Sequence, residues 1–487
     1  MFHLIVYKKS NGEIARVITR KDSVDIALTN MGYNPMLYDK VKVVSQLARI
    51  NPLEWRIENG IPVKIRVDAL PGTTKAAPSD SDNLKLVFIG DKPTDNTGFG
   101  NQYDLLAKGL RQRHYNVEFL SFQEVEKLVD LDFDYAIALS DYTSVRKLYD
   151  LKVDNWILWF ALESGGWPRE WNINLAKVPN IVPVTKFGSA ILDQNGIKHT
   201  DYIPHGVSSD LLRPIPLRQR AVLRRENKVD SNFVISYLGT NVERKHLDLL
   251  IESYAKFVSI HDSKRDSVLL LKTKVRGAYD IPQLIRELSE KYALPNLNSM
   301  VRVVQKEMES DEINEFINIS DLGFNASSGE GFCIPVIEYL MCGVPFLMGD
   351  HTSAPELLGD ACPLVKINAH YTDNKYKWTR SLINVDHAAE LLIDYFDKWK
   401  ANRLQSRTTL REYGMRYAVQ RMVDSWDVYL QDVEQNRLDQ HFVQKSSSLL
   451  EDSQTPEQVA PAYEKAKQVI EQVPENSPAK WVRITND

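Results

Sequence analysis

The sequence predicts an α/β protein: two consecutive doubly wound domains, with a small β-rich module in front of them. Three observations carry this. From Leu84 onward, short apolar runs alternate with amphipathic helical stretches, the signature of βαβ units. After a Pro214-Ile215-Pro216 break the alternation starts again at about residue 232. Before residue 70 the apolar residues instead flank two Asn-Gly turns, at Asn11-Gly12 and Asn59-Gly60, the strongest short hairpin signal because both turn positions need positive φ.

The elements follow in order. FHLIVYKKSNGEIARVI and WRIENGIPVKIRV read as two hairpins within a module spanning 1–69. Residues 70–83, LPGTTKAAPSDSDN, lack periodicity and read as a linker. In the domain assigned to 84–215, LKLVFIG, NVEFLSF, DYAIALS, NWILWFA and IVPVT are strands, and a helix is expected from about Asn101 to His114. Apolar runs this short fit parallel strands buried on both faces. In the domain assigned to 216–414, strands NFVISYLG, SVLLLKT, MVRVVQ, LGFNAS and VPFLMG alternate with helices HLDLLIESYAKFV, IPQLIRELSEKY, DEINEFINIS and PVIEYLMC, and HAAELLIDYFDKWKAN follows. In 415–432, Met415, Ala418, Met422, Trp426 and Tyr429 share one face of an amphipathic helix that must dock on something. The remainder, 433–487, is polar, with one helical pattern over Val459, Tyr463, Ala466, Ile470 and Val473.

Composition narrows the class. Of 487 residues 43% are hydrophobic and 26% charged, enough to bury large cores. Sixty Lys and Arg against 65 Asp and Glu leave a net charge of −5, which argues against general nucleic-acid coating. Three cysteines, Cys333, Cys342 and Cys362, without CxxC or Cys/His spacing, point to a reduced compartment and no zinc site. The N-terminal apolar run is too short for a signal peptide and no stretch approaches the ~20 apolar residues of a membrane span. A cytoplasmic protein is expected, with peripheral membrane association left open.

The most informative segment is Ser328-Gly-Glu-Gly-Phe-Cys-Ile-Pro-Val-Ile-Glu338. Pro335 suits the first helical position, and Gly343 the left-handed position that ends a helix. Glu330 then precedes the helix and Glu338 lies one turn inside it. Between them the N–H groups of Phe332, Cys333 and Ile334 are helix-start donors without intrahelical partners, suited to a phosphate. A diphosphate flanked by two polyols fits, one carboxylate per polyol. The alternative on spacing alone is a capping acid and a surface acid.

The run SSGEGFCIPVIEYLMCGVPFLMGDHTSAPELLGDAC resembles the donor-binding region of glycosyltransferase family 4, a retaining family with the GT-B fold. The family's E-x7-E element falls on Glu330 and Glu338, and Ala354-Pro355-Glu356-Leu357-Leu358-Gly359-Asp360 matches its common continuation. Gly239-Thr-Asn-Val-Glu-Arg-Lys-His resembles the family's loop in which a Lys and an Arg grip the donor phosphates. Lys245 matches the Lys. Thr240 stands where the Arg is usual, and Arg244 is the substitute. Thr97-Gly98-Phe99-Gly100-Asn101 resembles the family's N-terminal glycine-rich loop. A dinucleotide fingerprint would need a small residue at Tyr103, which disfavours a dehydrogenase. The segments around WFALESGGWPREW and YIPHGVSSDLLRP are similar to the second half of the family's first domain. The resemblance places Glu163 facing the donor sugar and His205 near the hinge, each with a structural role as an equal alternative. Lys272 and Lys274 end a strand on the edge that faces the crevice. The basic run Arg218–Arg225 fits either an anionic acceptor or a solvated helix face.

The resemblance implies two Rossmann-like domains across a cleft, over about residues 84–432. It implies a retaining hexosyl- or pentosyltransferase that takes a nucleoside-diphosphate sugar, with no cofactor and no metal. Glu330, Lys245 and Arg244 are the catalytic candidates. Gly98, Gly100, Phe332, Cys333, Glu338 and Glu163 are the donor-binding candidates, with His205, Lys272 and Lys274 as further contacts. The acceptor stays open between glycan, protein, lipid and modified base, as does a protein partner for 1–69 or the tail. The alternatives are a non-catalytic nucleotide-sugar binder or scaffold on a degenerate GT-B fold, and an epimerase or phosphorylase of that fold.

Overall fold

The computed structural model describes residues 84–434 apart from 96, 143–147, 150–152, 154 and 261–265, together with the backbone of five strands between residues 2 and 64. The linker at 70–83 and the helical pattern at 459–473 lie outside the described residues. The chain divides into two compact units, Met1–Asp82 and Asn83–Asp487.

In the first unit β1 (Phe2–Lys8) pairs antiparallel with β2 (Ile14–Arg20) and β3 (Tyr38–Val44). A separate antiparallel pair joins β4 (Trp55–Glu58) to β5 (Ile61–Lys64) across Asn59-Gly60.

The second unit holds two parallel sheets. The first runs over β6 (Lys85–Ile89), β7 (Asn116–Leu120), β8 (Tyr135–Ser140), β9 (Trp156–Phe160) and β10 (Asn180–Pro183), in the order β10-β9-β8-β6-β7. Its helices are α1 (Gly98–Arg111), α2 (Glu170–Leu175) and α3 (Lys186–Gln194). Helix α1 starts three residues before the expected Asn101. The Thr97 Oγ1 accepts the Gly100 N–H at 3.0 Å and donates to Asp91 at 2.7 Å, capping the helix at that point.

After α4 (Leu217–Glu226) the second sheet is built from β11 (Phe233–Leu238), β12 (Ser267–Lys272), β13 (Val301–Val304), β14 (Leu322–Asn325), β15 (Phe346–Gly349) and β16 (Leu364–Val365). Their order is β13-β12-β11-β14-β15-β16. Around it lie α5 (Leu247–Ile260), α6 (Ile281–Lys291), α7 (Leu297–Met300), α8 (Ser310–Ile319), α9 (Ile334–Met341), α10 (Ala354–Leu358), α11 (Val385–Lys400) and α12 (Arg407–Gly414). The order reverses between β11 and β14. Crevices at the carboxyl ends of strands flanking such a reversal are where open α/β sheets bind ligands.

Two departures from the expected elements matter. Pro335 occupies the second helical position of α9, after Ile334, while Gly343 takes the expected left-handed backbone with φ +70°. An antiparallel hairpin, β17 (Ile367–Thr372) and β18 (Thr379–Ile383), stands where no strand was expected. Its Trp378, 2% exposed, packs with Leu162, Trp171 and other residues of the first Rossmann-like domain.

The chain then returns. A 3-10 turn at Met415–Tyr417 precedes α13 (Val419–Glu434), so the expected single helix is split at Ala418. Helix α13 docks on α1 of the first domain. Val207 pairs with this segment through Val207 N–H to Tyr417 C=O at 2.9 Å and Val419 N–H to Val207 C=O at 3.0 Å. Trp426 is fully buried edge-on to Trp159, centroids 5.2 Å apart. Arg113 bridges to Asp424 and, at 2.9 Å, to Asp427, while the Tyr115 hydroxyl donates to Asp427 at 2.7 Å. Aromatic pairs of this kind add about 0.5–1.5 kcal/mol beyond area burial.

The basic run on α4 turns partly inward. Arg220 and Arg224 pair with the buried Asp321 at 2.6 and 3.0 Å, and Asp321 also accepts the Val234 N–H at 2.9 Å. These two arginines anchor α4 to the amino ends of β11 and β14. A depression of about 370 Å³ beside Arg218 and Arg225 lies at that same edge, opposite the crevice.

Candidate active site

Two loops leave the reversal point of the second sheet. After β11, residues 239–242 lead into a 3-10 turn, Glu243–Lys245, closed by His246 in the left-handed region. After β14, residues 326–333 lead into α9. The loops are stitched together: Ser328 N–H donates to the Arg244 C=O at 2.8 Å, and Arg244 Nη1 donates to the Gly329 C=O at 2.8 Å.

On this frame the charged side chains converge. Glu330, 4% exposed, meets Lys245 at 2.5 Å through Oε1 and Arg244 at 2.8 Å through Oε2. Arg244 also reaches across to Glu163, beyond β9 of the first domain, at 2.9 Å. The result is a row, Glu163–Arg244–Glu330–Lys245, spanning the cleft. Burial alone would raise the Glu330 carboxyl, but Arg244 and Lys245 outweigh it and hold it well below the usual carboxylate range. Burial likewise opposes the charge of Arg244, yet Glu163 and Glu330 make it hold its proton more firmly than usual. Burial raises the Glu163 carboxyl above its ordinary value, against the pull of Arg244.

The glycines of Ser-Gly-Glu-Gly are explained by this closeness. A Cβ at Gly329 would stand 2.2 Å from the Glu163 carbonyl oxygen, and one at Gly331 2.9 Å from the Ala161 carbonyl carbon. Only glycine lets the two domains' loops meet backbone to backbone.

The other sequence candidates differ in their surroundings. Phe332 and Cys333 are buried at the start of α9, whose first N–H groups have no intrahelical partner. The Cys333 thiol is pushed up to about 12 by burial, which favours its protonated form. Gly98 opens α1 with Ile334 opposite it, at 3.7 Å from where a Cβ would be. Gly100 is turned away: a Cβ there would lie 2.4 Å from the Lys92 carbonyl oxygen, so it serves the packing of its own loop. Glu338 is half-buried with no cation beside it among the described residues, and loss of water raises its carboxyl to about 7. His205, 1% exposed, is enclosed by the rings of Trp159, Phe332 and Phe99, and neither ring nitrogen has a partner. Burial pushes its imidazole down to about 3, a neutral packing group at the seam. Lys272 ends β12 beside Val304, half-buried, and Lys274 is exposed.

Sequence reasoning missed Asn325, Arg380 and the turn 351–353. The Asn325 Nδ2 donates to Glu330 Oε1 and to Cys333 Sγ, both at 3.3 Å. Arg380 on β18 donates to the Glu163 C=O at 3.0 Å, and Thr379 N–H reaches the Gly166 C=O at 3.4 Å. Alternation in Ile367-Asn-Ala-His-Tyr-Thr372 before Asp373-Asn374 was the available signal for this hairpin. Among the described residues no group of three or more His, Cys, Asp or Glu could hold a metal, and no helix is long and apolar enough to cross a membrane.

Residues 219–416 match the family described as glycosyl transferases group 1. No curated protein matches the sequence. Among solved structures, HepE from Anabaena in complex with UDP and glucose superposes with a TM-score of 0.56 at 14% identity, over 72% of this chain and 100% of that one. Sucrose-phosphate synthase from Thermosynechococcus elongatus gives 0.57 at 12% identity, over 73% and 100%. A glycosyltransferase from Rickettsia africae gives 0.54 at 14% identity, over 72% and 99%. At such identities the likeness is one of fold. The second Rossmann-like domain is thus similar to the glycosyl transferases group 1, and the two domains together form the GT-B fold.

Proposed function

We propose that this protein is a glycosyltransferase that moves a sugar from a nucleoside-diphosphate sugar to an acceptor hydroxyl, with retention at the anomeric carbon. The observation that carries the reading is the convergence of Arg244, Lys245, Glu330 and the start of α9 at the reversal point of a group 1 domain. Arg244, Lys245 and the helix-start N–H groups suit a diphosphate leaving group. Arg244 fills the role that Thr240, exposed at the loop, does not.

In the reaction the bond between the anomeric carbon and the phosphate oxygen breaks as the acceptor oxygen bonds to that carbon. The acceptor proton passes to the departing phosphate oxygen, so no separate base is required. Glu330 holds the sugar hydroxyls, and Glu338 accepts from the ribose diol. Glu163 faces the sugar from the first domain. The Anabaena HepE structures hold UDP, UDP and glucose, or UDP-glucose, which makes a uridine nucleotide the first donor to test.

Thermal unfolding against UDP-, GDP-, ADP- and dTDP-sugars tests the cleft. A ligand at 100 times its Kd stabilises by about 2.7 kcal/mol. Lys245→Ala and Glu330→Gln should each cut turnover heavily while unfolding cooperatively. Wild-type turnover in both refutes the site. Thr240, standing where the resembled family has its Arg, favours one second reading, a protein that binds the donor without transferring it. Donor hydrolysis without acceptor separates the two, because a pure binder shows none.

A further inference from the structure

Glu330 is held by more than its ion pairs. Its backbone N–H donates to the Thr352 hydroxyl at 3.2 Å, and its C=O accepts from the buried Ser353 hydroxyl at 3.0 Å. The preceding residue, His351, is 8% exposed and bonds at both ring nitrogens: Nε2 to the Ser327 C=O at 2.8 Å and Nδ1 to the Thr352 hydroxyl at 3.1 Å.

The chemistry of the partners sets the proton positions. A carbonyl only accepts, so Nε2 carries the hydrogen and Nδ1 is the acceptor. The Thr352 hydroxyl therefore donates to Nδ1 and is left to accept from the Glu330 N–H. Burial, which pushes the His351 imidazole down to about 4, keeps it in the neutral form this chain requires. One uninterrupted run of hydrogen bonds thus joins the two ends of the Ser327–Glu330 loop through two consecutive residues.

The backbone shows what this geometry costs. Thr352 sits at φ +47°. A β-branched residue in the left-handed region is an outlier, held there only where the surroundings over-determine it, and such residues cluster at functional sites. Glycine would adopt this backbone freely but would bring no hydroxyl.

We propose that Thr352 is a positioning residue: its hydroxyl, relaying between the Glu330 amide and the His351 ring, fixes the loop that aims the Glu330 carboxylate at Lys245 and Arg244. The role rests on the reading of Glu330 as a donor-site residue. It acts through Glu330 and touches no substrate itself.

The test compares Thr352→Gly, which accepts the backbone but lacks the hydroxyl, with Thr352→Ser, which keeps the hydroxyl. Each is measured by thermal unfolding, by amide hydrogen exchange of the loop 326–333, and by steady-state turnover, with Glu330→Gln as control. The expected result for Thr352→Gly is a melting midpoint no lower than wild type, faster exchange at the Glu330 amide, and kcat down ten- to a hundredfold, the usual effect of a misplaced catalytic group. Its donor KM stays within about threefold of wild type, since the cations are untouched. Thr352→Ser restores both exchange and kcat. A merely structural Thr352 would change the melting midpoint and leave the split between kcat and KM alone. Wild-type kcat in Thr352→Gly beside an inactive Glu330→Gln overturns the proposal, as does a Thr352→Ser variant as impaired as Thr352→Gly. Wild-type turnover in Glu330→Gln refutes the donor-site reading, and with it the catalytic consequence drawn here.

Discussion

Replacing Gly109 with alanine tests whether the return helix α13 sits on α1 at the spacing seen here. Gly109 lies inside α1, where alanine should gain about 1 kcal/mol of helix propensity. An added Cβ would stand 2.3 and 2.7 Å from the two γ-carbons of Val423 and 3.1 Å from its Cβ. A valine in a helix has one strongly preferred rotamer, so it cannot swing clear. Overpacking of a tight contact costs about 1–3 kcal/mol, and a 2.3 Å approach belongs at the upper end. The net expectation is destabilisation by about 2 kcal/mol, read as a lower urea midpoint. In a Val423→Ala background both γ-carbons are gone and only the 3.1 Å contact remains. There the same change should be neutral or stabilising by up to about 1 kcal/mol. The reversal of sign, a coupling of about 2–3 kcal/mol between the two positions, is the signature. If Gly109→Ala has the same effect in both backgrounds, α13 is not seated on α1 in solution.

Two further predictions concern the seam between the domains. His205 is neutral in the folded protein with its pKa pushed down to about 3, against an ordinary 6.5, so the unfolded chain takes up a proton first as pH falls. Its contribution is intact above pH 6.5 and is lost progressively toward pH 3, about 2 kcal/mol at pH 5. Glu338, raised to about 7, works with the opposite sign: its contribution is full below 4.5 and disappears as pH rises through 7. His205→Phe, which keeps an aromatic ring among Trp159, Phe332 and Phe99, should raise the urea midpoint at pH 5 well above wild type and change it little at pH 7.5. An equal shift at both pH values would contradict a buried neutral imidazole. Trp378→Ala should cost about 3 kcal/mol or more by emptying a core position, and should speed hydrogen exchange in both 367–383 and 163–171. Unchanged exchange in 163–171 would show that the hairpin does not clasp the first domain.

Apart from the two-residue β16, the parallel strands were legible, and the central ones because each is a short, nearly continuous apolar run that fits burial on two faces. The helix α9, its orphan N–H groups and its Gly343 stop were legible because capping is a local matter of backbone chemistry, and only the position of Pro335 moved by one residue. The motif residues Glu330, Lys245 and Arg244 could be named from their resemblance to a family's motifs, but their pairing could not. Residues 244 and 330 meet only because β11 and β14 lie side by side at the reversal of the strand order, and no local pattern encodes adjacency between strands so far apart. The same limit hid the bridge from Glu163 to Arg244, the hairpin that brings Arg380 to the Glu163 backbone, and the inward turn of Arg220 and Arg224 toward Asp321. It also hid the hydrogen bonds by which the turn at His351–Ser353 holds Glu330. A sequence by itself determines which segments must be buried and where a helix can start. Which charges end up neutralising one another depends on which strands lie side by side within a sheet and, for Glu163 and Arg244, on how the two domains meet, and those distances exist only in the folded protein.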